Sequence, residues 1–138
     1  MQFASLESFP MIKRIGNITI VGNANVWPHE MDTARALAKD GHDISFIDNG
    51  GKGAGSADVE MDGLVWEMKS PRTDNIKAIE RNVKRARNQS ENVIIDSRRM
   101  KRVPDIAIQK ALEKYCNEIK GIKHLIFVNR HGNVVLIK

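Results

Sequence analysis

A chain of 138 residues, 41% hydrophobic and 28% charged, has the composition of one folded domain around one core and excludes a disordered polymer. No apolar run approaches the roughly 20 residues that cross a bilayer, and the opening MQFASLESFPMIKRIG lacks the order of a signal peptide, so membrane insertion is not expected and any export would come from a larger protein carrying this chain. The net charge is +5, and residues 72 to 102 hold ten of the 22 Lys and Arg against four acids, a bias that points to a polyanion or an acidic protein as partner rather than to a membrane surface.

In chain order, residues 11 to 22 read as a small hairpin or strand pair around Gly16-Asn17. HEMDTARALAKDG carries Met31, Ala34, Leu37 and Ala38 at helical spacing, with Gly41 closing the helix. HDISFID is a strand, and the glycine-rich stretch from Asn49 to Ser56 is a loop. Two strands then flank Asp62-Gly63, followed by a helix over 74 to 88 and a short central strand, ENVIID. A second amphipathic helix over 105 to 120 turns Ile108, Leu112, Tyr115 and Ile119 to one side, and its lone Cys116 is expected to be a small buried thiol. IKHLIFV, the turn NRHG and NVVLIK form a closing strand pair. Strands alternating with helices, with hairpins at the flanks, imply a mixed α/β sheet in one domain spanning 1–138, with an N-terminal hairpin region over 1–27 and a core over 28–138.

The stretch ADVEMDGLVWEMKSP carries the chemical signal. An Asp62-Gly63 turn sets Met61 opposite Leu64, Val59 opposite Trp66 and Asp58 opposite Glu67. Asp58, Glu60, Glu67 and Lys69 share one face, while Val59, Met61, Leu64, Trp66 and Met68 share the apolar one. Like charges directly across a hairpin destabilise it unless a cation lies between them. Two carboxylates about 5 Å apart, with a backbone carbonyl nearby, suit Mg²⁺ or Mn²⁺. Lys69 points the same way and could orient a water or stabilise a negative transition state. An exposed polar face with Lys69 neutralising Glu67 explains the pattern equally well. Glu60 lies one pair too near the turn to share the ion.

Glu30 falls inside the apolar stripe of the first helix, between Ala34 and Leu37, where a carboxylate needs a partner. It could complete a metal site or hold its water; its place in the first helical turn is the plainer explanation. His29 reads as a surface or capping residue, and with four His and one Cys a zinc cluster is disfavoured. In NIKAIERNVKRARNQ, Ile76, Ile79, Val83 and Ala86 cover one side. Lys77, Arg81, Lys84 and Arg85 cluster on the other, as a phosphate-backbone track would or as an ordinary solvated face would. Gln89 and Ser90 end that helix and either reach the same cleft or cap it. Asp96, Arg98, Arg99, Lys101 and Arg102 beyond the next strand are weaker candidates.

Glu30 in a first helix, then Asp58, then Glu67-Met68-Lys69 resembles the PD-(D/E)xK nuclease superfamily, with Ala57 where that motif has proline. The frame GSADVEMDGLVWEMKSP, the basic helix and RARNQSENVIID more closely resemble the C-terminal nuclease domains of bacterial polymorphic toxins, including the toxin tips of contact-dependent growth inhibition CdiA proteins. The match runs from about His29 to Lys138. The resemblance implies a restriction-endonuclease-like sheet flanked by helices, with Asp58 and Glu67 as metal ligands, Lys69 as catalytic lysine, Glu30 as the helix acid and Gln89 as a neighbour of the active site. It further implies cleavage of RNA, often tRNA, in preference to DNA, and neutralisation by a cognate immunity protein. Delivery would be from a larger secreted toxin into the cytoplasm of a target bacterium. A DNA endonuclease of the same fold, a non-catalytic nucleic-acid-binding module and a protein-interaction domain are the competing readings.

Overall fold

The computed structural model describes residues 14–48 and 58–138, Asp58 by its backbone. The described elements run β1 (Ile18–Ile20), α1 (Pro28–Lys39), β2 (Ile44–Ile47), β3 (Asp58–Met61), β4 (Leu64–Lys69), α2 (Ala78–Arg87), β5 (Asn92–Asp96), α3 (Asp105–Glu118), β6 (His124–Val128) and β7 (Val134–Leu136). The seven strands lie in chain order in one sheet. β1–β2, β4–β5 and β5–β6 are parallel, each pair joined through a helix, and the remaining neighbours are antiparallel. The architecture is therefore the mixed α/β sheet expected from the alternation of elements.

Period-two alternation divides the core. Ile44, Phe46, Val59, Met61, Trp66, Met68, Ile94, Ile126 and Val128 pack with Ala34, Leu37 and Ala38 of α1 on one face. Val93, Ile95, Leu125 and Phe127 pack with Ile79, Val83 and Ala86 of α2 and Ile108, Leu112 and Cys116 of α3 on the other. β5 is buried along its whole length, as a central parallel strand covered on both faces should be.

Local chemistry accounts for the boundaries. Pro28 opens α1 at a position that needs no N–H, and Gly41, at φ 102°, ends it in the left-handed conformation that disfavours a Cβ. Asp62 and Gly63 have φ of 55° and 76°, the pair of positive values that a two-residue I′ hairpin requires.

Several expectations are corrected. The described part of residues 11 to 22 forms no hairpin at Gly16-Asn17: β1 pairs in parallel with β2, and Gly16 N–H donates to the Ala38 carbonyl at 2.7 Å. A Cβ on Gly16 would collide with the carbonyl of His42, so this glycine serves close backbone approach rather than a turn. The helix expected from 74 begins at Ala78, because Asn75 accepts the Lys77 N–H through its side chain and starts a turn instead. In α3 the fully buried line is Ile108, Leu112 and Cys116, with Tyr115 and Ile119 half-buried beside it. Leu64, at the turn end of its apolar face, is exposed. The start of that N-terminal region and the glycine-rich loop at 49 to 56 lie outside the described residues.

Candidate active site

The β3–β4 ladder pairs Val59 with Trp66, Glu60 with Val65 and Met61 with Leu64. Continued by one residue, this register brings the backbone of Asp58 opposite Glu67, as the sequence predicts. β4 pairs in parallel with β5, Glu67 beside Val93 and Lys69 beside Ile95. Registered neighbours share a face, so Glu67 and Lys69 stand on the side of the sheet covered by α2 and α3. Lys69 Nζ is 3.6 Å from Glu67 Oε1, with side-chain exposures of 25% and 16%. Both charges are thus half-withdrawn from water, where a Coulomb interaction is stronger than on an open surface. Glu60 is exposed at the turn end.

Glu30 is 6% exposed and belongs to the helix over the opposite face. Its carboxylate accepts the Trp27 N–H at 2.9 Å, and its own N–H donates to the Trp27 carbonyl at 3.0 Å. Capping of α1 therefore explains why an acid lies in the apolar stripe. Gln89 is exposed and follows α2. Ser90 Oγ next to it donates to the Val65 carbonyl at 2.8 Å, which sets this corner at the hairpin end of β4. About 13 Å of strand, at about 3.3 Å per residue, separates Val65 from Lys69, so Gln89 is not beside the lysine.

Arg81, Lys84 and Arg85 project from the outer side of α2, with Lys77 just before its first turn. With Glu80 and Asn88 they line a shallow concavity of about 380 Å³. Among the described residues, only Lys84 is drawn to an acid there, Glu80 at 3.5 Å.

The carboxyl ends of β4 and β5 hold an arrangement that sequence reasoning underrated. Asp96, 3% exposed, accepts from Thr33 Oγ1 at 2.6 Å and takes the Arg98 guanidinium on both oxygens, the shortest contact being 2.7 Å. That hydrogen-bonded pairing, with the attraction of Asp96 and Asp32, raises the Arg98 pKa above its ordinary value against the opposing effect of burial. Asp96 thereby ties α1 to the loop following β5. The available signal was an acid ending a strand, NVIID, whose every other residue reads as buried; such an acid demands partners. Met100 and Val103 are buried and anchor this loop, while Lys101 and Arg102 face solvent. The Arg102 N–H reaches Asp74 at 3.2 Å.

Among the described residues no three His, Cys, Asp or Glu side chains gather to hold a metal, a set that does not include the carboxylate of Asp58. Acids on adjacent strands are the donor type that a hard divalent ion takes.

Residues 55–134 match the family model described as the contact-dependent growth inhibition CdiA C-terminal domain, which covers more than half of the chain. The chain belongs to the CdiA C-terminal domain family. The family match includes the β3–β4 hairpin, α2 and the strands from β5 into β7. In fold, this CdiA C-terminal domain is similar to a chain of the CdiA-CT/CdiI toxin and immunity complex from Burkholderia pseudomallei, with TM-score 0.67 and 21% identity over 87% of this chain and 98% of that one. No curated protein matches it in sequence. Among the described residues no helix is long and apolar enough to cross a membrane.

Proposed function

We propose that this CdiA C-terminal domain is a divalent-metal-dependent endonuclease of PD-(D/E)xK type that hydrolyses phosphodiester bonds in RNA, tRNA being the favoured substrate class. What supports this reading is the hairpin register, which extended one residue past the Val59–Trp66 pair would put the Asp58 backbone across from Glu67, together with Lys69 Nζ lying 3.6 Å from Glu67.

Asp58 and Glu67 would hold Mg²⁺ or Mn²⁺. A divalent ion bound there supplies a more acidic water and neutralises phosphate charge. Lys69 carries a fixed positive charge toward the same space and stabilises the extra negative charge of a phosphorane-like transition state. Glu67 in turn orients Lys69 through their 3.6 Å ion pair. The cations of α2 engage backbone phosphates on the same side of the sheet without reading sequence. Glu30 acts as a positioning residue through the N-terminus of α1, and Gln89 carries no chemical step.

Membership of the family supports a toxin, and the solved toxin and immunity complex of similar fold supports a cognate immunity protein as partner. Delivery from a larger secreted protein into a target bacterium's cytoplasm follows from the same family reading. The preference for RNA over DNA rests on the resemblance to tRNA-cutting toxin domains. Incubation of the purified protein with total tRNA, total RNA and plasmid, each with Mg²⁺, Mn²⁺ or EDTA, tests the proposal. Metal-dependent cleavage of tRNA is expected. Cleavage confined to plasmid would move the substrate to DNA, and cleavage indifferent to EDTA would remove the metal.

A further inference from the structure

The two tryptophans occupy opposite settings. Trp66 is buried and donates its indole N–H to the Met61 carbonyl at 2.9 Å. Trp27, immediately before α1, is 48% exposed. An exposed indole offers a flat face on which another aromatic ring can stack. The Trp27 backbone is fixed by the two hydrogen bonds to Glu30 and by Pro28, so the ring is presented from a rigid base. The Trp27 ring stacks on His29, with centroids 6.4 Å apart and planes inclined by 27°.

His29 also lines a cavity of about 220 Å³ with Asp32, Ser70, Asp96, Arg98 and Arg99. This cavity lies at the carboxyl ends of parallel β4 and β5, where open α/β sheets tend to receive ligands. Its lining carries two acids, Asp32 and Asp96, and two arginines, Arg98 and Arg99. Asp96 is taken up by Thr33 and Arg98, and Asp32 by Arg35 at 3.3 Å. Arg99 has no acidic partner among the described residues, and its guanidinium remains available to an anion. Ser70, a neutral hydroxyl, directly follows Lys69 in the chain.

An exposed flat ring near a small cavity that offers one arginine without an acidic partner among the described residues matches one ligand chemistry: an aromatic base attached to a phosphate. We propose that Trp27, His29 and this cavity form a subsite for one unpaired nucleotide of a single-stranded nucleic acid. The base stacks on Trp27, and its phosphate meets Arg99 and Ser70. A duplex cannot enter in this way, because its bases already stack on one another; unstacked bases in loops and at ends can. The subsite thus selects single-stranded segments and leads the strand past the residue next to Lys69. The inference rests on the nucleic-acid reading of the domain but not on its catalysis.

Trp27 supplies its own reporter, since Trp66 is buried. The full chain is titrated in EDTA with mixed-sequence eight-nucleotide single-stranded RNA and DNA, a duplex of equal length, and polyglutamate, while tryptophan emission and its quenching by iodide are followed. The single strands are expected to quench Trp27 saturably and to shield it from iodide. Trp27→Ala should weaken binding about tenfold, within the range typical of one base–aromatic stack; Trp27→Phe should keep most of the affinity. Arg99→Gln should lower the slope of log affinity against log salt by about one. Unchanged affinity in Trp27→Ala, equal quenching by duplex or polyglutamate, or no oligonucleotide binding at low salt would each overturn the subsite. Cleavage in Mg²⁺ is read separately, so loss of the subsite with cleavage intact is distinguishable from loss of the nuclease reading.

Discussion

Lys69 and Glu67 owe their positions to simple rules: a two-residue turn fixes register, and alternation fixes face. Lys69→Ala should therefore lower cleavage at least about a hundredfold, the scale of losing one charge-stabilising group in a transition state. Its thermal midpoint should move little, because the lysine is partly solvated and outside the core. Paired cleavage assays and melting curves check this, and a variant that cuts normally would remove the lysine from the chemistry. Glu30 shows where residue-level reading stops. Its burial was legible from the helical wheel, but the same wheel could not tell whether the carboxylate served an ion or its own helix. A hydrogen bond to the Trp27 N–H depends on the path of the chain before the helix, which periodicity does not encode. Gln89 precedes Ser90, whose hydroxyl donates to the Val65 carbonyl at the hairpin end of β4, a tertiary contact that sequence order does not encode.

Among the elements, the strongly patterned ones were readable and the weakly patterned ones were not. The hairpin, α1, β5 and the β6–β7 pair each carry a turn signal, a cap or a continuous apolar run. β1 is three residues long, with half-buried and exposed positions only, and its partner β2 lies beyond a helix, so local pattern suggests a hairpin where the described residues form a parallel pair instead. Two tests belong here. Gly16→Ala should destabilise the fold by about 3 kcal/mol, the upper range for overpacking, because the new methyl would meet the backbone carbonyl of His42 and backbone cannot swing aside. Urea denaturation measures it; a neutral result would mean that β1 is dispensable. The β1 approach is also held by Asp43, which accepts from Arg14 at 3.1 Å and from the Asn17 N–H at 2.8 Å. The Arg14 hydrogen bond, then that from Asn17, lowers the Asp43 pKa from its ordinary 3.8. A carboxylate depressed in the folded state stabilises above its unfolded value and loses that contribution as pH falls through the folded one. Stability should thus decline below about pH 4, and Asp43→Asn should flatten that part of the curve. An acid limb identical in the variant would remove Asp43 from the pH response.

The molecule as a whole places a basic helix on one side of its sheet and, at the strand ends, a cavity bearing Arg98 and Arg99 near an exposed tryptophan. The bias of charge in residues 72 to 102 was visible in the sequence, but its division between α2 and the loop after β5 depends on parallel strand order. That order arises from crossovers that no local signal specifies. Arg81→Glu with Lys84→Glu should weaken nucleic-acid binding across sequences and flatten its salt dependence, since each lost phosphate contact removes released counterions. Filter binding at several salt concentrations reads both quantities, and an unaltered slope would exclude α2 from the strand's path. The β3–β4 hairpin of this CdiA C-terminal domain is proposed as a metal-dependent phosphodiesterase site. It is tested most directly by incubating the unsubstituted protein and its Lys69→Ala variant with purified tRNA in Mg²⁺, then in EDTA, then with Mg²⁺ restored. Cleavage by the unsubstituted protein alone, stopped by EDTA and regained with the ion, is the predicted result; cleavage that persists in EDTA or in the variant would contradict it.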